Sequence, residues 1–551
     1  MKSKFSLFFL VSFFALILSA CSMAGMDDSN MDMGGEETET ETEQKKEETK
    51  GLQATAATET IADNEFTLTA QERTHQLTDN KSVTAWTFNG SVPGPEISVQ
   101  EGEKVKITLK NELKDPVTIH WHGLPVPNEM DGIPGVTQNA VQPGKSFTYK
   151  FTADVPGTYW YHSHQEGATQ VDKGLYGSFI VEGKDQKEYD RDYALVLDEW
   201  MSDLDSMDME ETMNTESDSS ESMEGMDHST MDMESGSESE NADQASEATE
   251  SNNSESEEMA HDMSMYDIYT INGKSGESIN KLTVKEGEKV RLRLVNAGFI
   301  SHNIHLHGHD FKIISSDGQE IANPQEVKDQ LISIAPGERY DIEFTADNPG
   351  EWFLESHGEM EGTDGMRTLI QYEGFSGEST DKSNNREELP VLDLTSYGEK
   401  EAAEFTLDQS YDLTYTMDLN TRTADGTLEY TINDKTFPDT ESLKVKEGDL
   451  VKVKLVNNSK EDDHPMHLHG HFFQVLSKNG KPVEGSPLMK DTINLKPGEE
   501  YVVAFKADNP GNWMFHCHDL HHASAGMVTQ VNYEGFKPKF TPDPNANNQP
   551  E

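Results

Sequence analysis

One pattern of apolar and polar positions occurs three times along the chain. Residues 99–109 (VQEGEKVKITL), 284–294 (VKEGEKVRLRL) and 445–455 (VKEGDLVKVKL) align without a gap, each a charged turn followed by apolar residues at every second position. A period of two marks a half-buried strand, because successive side chains on a strand point to opposite faces. Each copy is followed by a Pro-Gly turn, a further run and a second Pro-Gly: Pro143-Gly144 to Pro156-Gly157, Pro336-Gly337 to Pro349-Gly350, and Pro497-Gly498 to Pro510-Gly511. Short strands punctuated in this way predict an all-β chain of three consecutive Greek-key sandwiches or barrels, over residues 65–188, 189–376 and 390–538.

Three segments break the pattern. Residues 201–265 hold 11 methionines and 21 Asp plus Glu, with no Lys, Arg or aromatic residue, so they cannot bury a core and are expected to be a disordered insert in the middle unit. Residues 22–64 are of similar acidic, Met-containing composition and are expected to be a disordered tether. At the start, Lys2 and Lys4 precede an apolar run from Phe5 to Ile17, shorter than the roughly 20 residues that span a bilayer. It reads as an export signal over residues 1–21. Leu18-Ser19-Ala20-Cys21 resembles the lipobox of bacterial lipoproteins, which implies a lipidated Cys21 and an extracytoplasmic protein anchored at the outer face of the cell membrane.

Charge changes the picture of partners. The net charge is −58, and −30 remains once the insert (−21), residues 22–64 (−9) and residues 1–21 (+2) are set aside. So acidic a body argues against nucleic acid or anionic lipid as a partner, and for attraction of cations. The chain has two cysteines. With Cys21 acylated and Cys517 committed to a metal, no disulfide remains.

The candidate chemistry is concentrated near the carboxy end. His464-Pro465-Met466-His467-Leu468-His469 is followed by His516-Cys517-His518, with His522 five and Met527 ten residues past the cysteine. On a strand, His516 and His518 face one way and Cys517 the other. Thiolate is a soft ligand and imidazole a borderline one, so this spacing suits a trigonal site of His464, Cys517 and His522 with a weak axial Met527, the blue-copper pattern. Two more pairs, His120-Trp121-His122 and His162-Ser163-His164, join His467/His469 and His516/His518. Eight imidazoles divide as three, three and two. Zinc, which prefers a closed tetrahedron, would leave most of them without a role.

These four motifs, in this order, resemble the multicopper oxidases, a family that includes laccases and bacterial copper-resistance oxidases; the resemblance covers roughly residues 65–536. It implies three cupredoxin-like domains and four copper ions, with a trinuclear site between the first and third. His464, Cys517, His522 and Met527 match the type 1 ligands and His120 and His467 the type 2 pair. His122, His162 and His518 match one type 3 copper, and His164, His469 and His516 the other. Asp131 matches an acidic residue kept near the type 2 copper, where it handles protons; as a plain residue it reads equally as a turn Asp before Gly132. Ala523 stands where some members carry a second carboxylate. The implied reaction passes single electrons from a substrate through Cys517, His516 and His518 to the cluster, where dioxygen becomes water.

The middle repeat lacks this chemistry. Aligned on Trp352/Trp513 and Met366/Met527, Ser356 replaces Cys517 and Glu361 replaces His522, so no type 1 copper is expected there. His302, His305, His307, His309 and His357 are read as relics in packing or hydrogen-bonding roles. Thioethers beside carboxylates in the insert favour Cu(I), or another low-potential metal ion, as substrate. A laccase-like phenol oxidase is the alternative, and a copper-buffering lipoprotein a reading from a different class that the complete ligand set argues against.

Overall fold

The computed structural model describes residues 52–202, 265–358, 360, 362–376, 388–424 and 426–551. Residues 1–51, most of 201–265 and Glu361 lie outside them. Six sheets stand in three pairs. In the first pair, a five-stranded sheet in the order Thr60–Ile61, Glu96–Gln100, Tyr176–Glu182, Gly157–His162, His120–His122 faces the strands Lys81–Phe88, Glu65–Thr78, Glu103–Asn111 and Ser146–Ala153. The second and third pairs repeat the plan with six plus five and seven plus five strands. Val105, Ile107 and Leu109 of the first repeat, Val290, Leu292 and Leu294 of the second and Val451, Val453 and Leu455 of the third are all buried in their respective cores, as the alternation predicts.

The polar face of the second repeat departs from the pattern. Arg291 and Arg293 are buried, because the first sandwich covers them. Arg293 reaches Thr158 Oγ1 at 2.8 Å, Asp192 at 3.0 Å and Glu182 at 3.2 Å, so its charge is compensated across the junction. Two boundaries also shift. Residues 52–64, expected to be disordered tether, are paired: Thr60–Ile61 runs parallel to Glu96–Gln100, and Thr55 N donates to Thr74 O at 2.9 Å. Backbone bonds to an open sheet edge need no apolar side chains, so composition misses them. Tyr397, placed by the pattern in the third unit, is buried in the middle core, and its hydroxyl accepts from Ile313 N at 3.0 Å.

The three sandwiches meet on a buried ionic junction. Arg339 of the middle unit grips Asp491 of the third through two bonds of 2.7 and 2.6 Å and donates to Thr158 O of the first at 3.2 Å. Asp317 accepts from Arg339 N at 3.0 Å and lies 3.1 Å from Lys490 Nζ. Breaking such a pair from one side strands a charge in the interior. Arg339→Met is therefore expected to lower the unfolding free energy by about 3–5 kcal/mol in denaturant titration. A loss below about 1 kcal/mol, the level of an exposed pair, would show that water reaches the junction.

Candidate metal centre

Two strand pairs deliver the histidines. In the first sandwich His120–His122 lies antiparallel to Gly157–His162, with His120 opposite His162. In the third, His464–Leu468 lies beside Asn512–Cys517, with His467 opposite His516 and Met466 opposite Cys517. Alternation then sends His467, His469, His516 and His518 toward the first sandwich and Cys517 into the core of the third. The eight rings interlock across the junction. His120 stacks on His469 at 4.0 Å and His122 on His467 at 3.7 Å.

Hydrogen bonds fix which nitrogen carries the proton in every ring of the cluster except His518. A carbonyl oxygen only accepts, so Nδ1–H donates where Asp131 O receives His120 at 2.9 Å, Ser163 O receives His162 at 2.8 Å and Cys517 O receives His516 at 2.9 Å. His467 donates likewise to Asp491 O at 3.0 Å, and His164 to Pro550 O at 2.5 Å. His469 Nδ1 donates to Asp131 Oδ2 at 3.1 Å. In these six rings Nε2 is left with its lone pair. His122 is reversed: its Nε2 lies 3.1 Å from Thr492 Oγ1, which itself donates to Asp491 Oδ1, and Nδ1 is the free atom.

The free atoms converge without partners. His120 Nε2, His122 Nδ1, His162 Nε2, His467 Nε2 and both nitrogens of His518 are buried and unbonded. An orphaned buried polar atom costs free energy, and metal coordination is the interaction that removes the cost for neutral imidazoles. Burial, reinforced by neighbouring imidazoles, holds His122, His162, His469, His516 and His518 well below the ordinary histidine range, so their lone pairs stay available. Ligand atoms of His120, His122 and His162, of His120, His467 and His469, and of His164, His469 and His516 each lie within 4.8 Å of one another. Neutral nitrogen donors in this number fit copper.

Cys517 stands on the opposite face with His464 and His522, its Sγ 3.9 and 3.6 Å from their Nδ1 atoms. The outer nitrogens are held elsewhere. His464 Nε2 lies 2.7 Å from Ser459 Oγ, and His522 Nε2 lies 3.3 Å from Asp519 Oδ2. Asp519 also caps the helix Leu520–Ser524 that carries His522, and burial pushes its carboxyl up to about 7. Met527 is fully buried in the same apolar cluster as Cys517, and its carbonyl accepts from Cys517 N at 3.0 Å. Ala523 packs against Ile133, Met514 and Val528, with no carboxylate in that place.

Several partners of the histidines have no signal in the sequence. Asp131 is anticipated, and its Oδ1 lies 3.2 Å from His120 Nδ1. Asp491 and Thr492 are not. Nor is Gly337 of the middle unit, whose φ of +82° and lack of a side chain let its backbone close over the cluster: a Cβ there would stand 2.9 Å from His518 Cγ and 3.0 Å from His122 Cε1. The stretch 543–551 returns to the first sandwich, with Glu166 N donating to Gln549 O at 2.9 Å and Asn548 Oδ1 accepting from Ala140 N at 2.8 Å. It leaves Glu551 Oε1 3.5 Å from His164 Nε2 and from His516 Nδ1. Burial holds that carboxyl well above the usual range. Asp519, which caps the helix that carries His522, is not anticipated either.

In the middle sandwich the histidines read as relics fall into two groups. His302 Nε2 lies 3.2 Å from Glu199 Oε2, and His309 bonds His307 O and Tyr372 Oη at 2.9 and 2.7 Å. Ser356 is buried opposite Ile304 and offers no thiolate. His305, His307 and His357, however, gather with ligand atoms within 4.8 Å. Strand alternation carries them to one face whether or not the partners they once met are still opposite.

Asp131→Ala takes the acceptor from His469 and leaves the Cys517 site untouched. Copper affinity at the histidine cluster is expected to fall about 10–100-fold, read by metal analysis, while the blue absorbance of thiolate-bound copper stays. Loss of both together would mean that Asp131 supports the fold rather than the cluster.

Comparison with known proteins agrees with this geometry. One multicopper oxidase family model matches residues 69–186, and another matches residues 244–373 and 404–535. Multicopper oxidase MmcO of Mycobacterium tuberculosis is 30% identical over 459 residues, covering 82% of this chain and 83% of that protein. Copper resistance protein A of Escherichia coli is 25% identical over 85% of this chain and 92% of its own. Laccase-2 of Botryotinia fuckeliana is 29% identical over 82% and 79%. Among solved structures, a laccase from Botrytis aclada superposes with a TM-score of 0.63 at 23% identity, covering 87% of this chain and 88% of that one. A metallo-oxidase from Campylobacter jejuni gives 0.60 at 23%, covering 88% and 94%. With family models on all three sandwiches and a 30% identical relative along most of its length, the chain belongs to the multicopper oxidase family, whose members carry four coppers and use dioxygen.

Proposed function

We propose that this multicopper oxidase takes Cu(I) as its reducing substrate, gathered by the Met-rich insert and oxidised at the Cys517 site. The observation that carries this reading is where the insert is rooted. Trp200 and Ile268 are cross-strand partners, so residues 201–265 leave and rejoin one hairpin. Met201 and Tyr266 are buried in an apolar cluster with Leu520, and Tyr266 Oη lies 2.8 Å from His521 Nε2, one residue from His522. Thioethers and carboxylates tethered at that point raise the local concentration of cuprous ion. A relative named for copper resistance is in line with copper as the metal handled.

In this reading His464, Cys517, His522 and Met527 would hold the type 1 ion. His120 and His467 hold type 2, and His122, His162 and His518 with His164, His469 and His516 hold the type 3 pair. Bound copper supplies the redox chemistry, one-electron uptake at the thiolate site and four-electron reduction of dioxygen to water at the cluster. The chain does the rest. Ser459 and Asp519 fix the two outer imidazole nitrogens, and the His516 Nδ1–H bond to Cys517 O ties the thiolate residue to the cluster. Asp131, between His120 and His469, is the buried carboxylate placed to hold a proton there.

A phenol has no affinity for thioethers, which separates the two substrates. Deleting residues 203–264 leaves both roots in place. It is expected to raise KM for Cu(I) about 10-fold or more in oxygen-uptake assays, with phenol kinetics unchanged. Unaltered Cu(I) kinetics, or an equal loss on a phenol, would put the laccase-like reading first, in line with the similarity to Laccase-2.

Cys21 is outside the described residues. We read it as the lipid attachment site that holds the enzyme at the outer face of the cell membrane, from the run Leu18-Ser19-Ala20-Cys21. Cys21→Ser is expected to move the protein from the membrane to the soluble fraction; unchanged membrane recovery would refute the anchor.

A further inference from the structure

The middle sandwich reproduces the third one's half of the histidine cluster, in register. Ile304 faces Ser356, His305 faces Glu355 and Leu306 faces Leu354, as Met466 faces Cys517, His467 faces His516 and Leu468 faces Phe515. The local supports are copied as well. His309 donates to His307 O at 2.9 Å and bonds Tyr372 Oη at 2.7 Å, and His471 donates to His469 O at 3.0 Å and bonds Tyr533 Oη at 2.7 Å. Gly308 and Gly470 make the same left-handed turn, φ +71° and +67°, each beneath a tryptophan. On the histidine face one residue differs in kind, since Glu355 stands in the register of His516.

We propose that His305, His307, His357 and Glu355 form a fifth metal site, which takes one divalent late first-row transition ion, Cu(II) or Zn(II). The ligand atoms of the three imidazoles lie within 4.8 Å of one another, and Glu355 Oε1 lies 3.1 Å from His307 Nε2 and 3.6 Å from His357 Nε2. The other carboxylate oxygen is taken by Arg367 Nε at 3.4 Å, which orients Oε1 toward the rings. Three imidazole nitrogens and one carboxylate suit a borderline dication, and the hard anionic oxygen favours the divalent ion over Cu(I). Among the described residues no second sandwich brings further histidines to this face, so the four donors close on a single ion instead of sharing three. His357 is only partly buried, which leaves a route in from solvent.

The test uses the four-copper holoprotein, full chain, incubated with excess Cu(II) or Zn(II) and then dialysed. The expected result is that wild type retains one metal ion more per chain than His357→Ala, while the blue absorbance of the Cys517 site is the same in both. In the Cu(II) arm that ion adds an EPR signal that the variant lacks; in the Zn(II) arm it is counted by metal analysis. The acidic insert is identical in both chains and cancels in the difference. Should His357→Ala lose the blue absorbance, Glu355→Gln, which keeps the shape, carries the same comparison. It is then expected to bind the extra ion at least about 10-fold more weakly. Equal retention by wild type and a variant that keeps its blue absorbance would overturn the site and return these residues to a purely ion-paired role.

Discussion

The pair Arg339–Asp491 is the interaction on which the arrangement depends. Asp491 receives two guanidinium bonds from the middle sandwich, and its carbonyl fixes the tautomer of His467 in the third. The same arginine donates to Thr158 O, on the strand that ends at His162 in the first. One buried charge pair thus sets the distance between the two sandwiches that supply histidines, and its arginine comes from the middle sandwich, which supplies none to the cluster. A buried pair of this kind is weak evidence for stability, because desolvation offsets its attraction. Its value here is registry: eight ligands from two units must meet within a few ångströms.

That meeting brings together groups that would otherwise stay apart. Neutral imidazoles with unbonded nitrogens crowd a buried space, where each orphaned atom raises the free energy. Carbonyl acceptors at His120, His162, His164, His467 and His516 convert the crowd into a directed set by holding each proton on Nδ1. The strand Asn512–Cys517 serves two sites because its faces differ. Cys517 enters the apolar core, whereas His516 looks toward the first sandwich.

The middle sandwich shows what becomes of such a strand pair when its surroundings change. Register and turns are conserved between the copies, yet Ser356 removes the thiolate from the core face and Glu355 adds a charge to the other. Loss of the blue site and retention of an imidazole cluster are independent outcomes, since they lie on opposite faces of the same strand. The roots of the acidic insert, Met201 and Tyr266, pack beside the helix that carries His522, and residues 543–551 reach the histidine cluster through Glu551.

The local pattern of the chain determined its three β-units, the buried apolar faces of their repeats, the four histidine pairs and the placement of a cysteine between two of them. These follow from a period of two, which is set by neighbours along the chain and needs no knowledge of what lies opposite. Tertiary structure decided the remainder: that Arg291 and Arg293 are interior, that residues 52–64 pair with a sheet edge, and that Asp491, Thr492, Gly337 and Glu551 close around the rings. It also decided that His305, His307 and His357 gather while His302 and His309 serve as hydrogen-bonding supports. Each of these depends on partners outside the local segment or on the opposite side of an interface, where burial of a polar group is governed by what covers it rather than by its own segment.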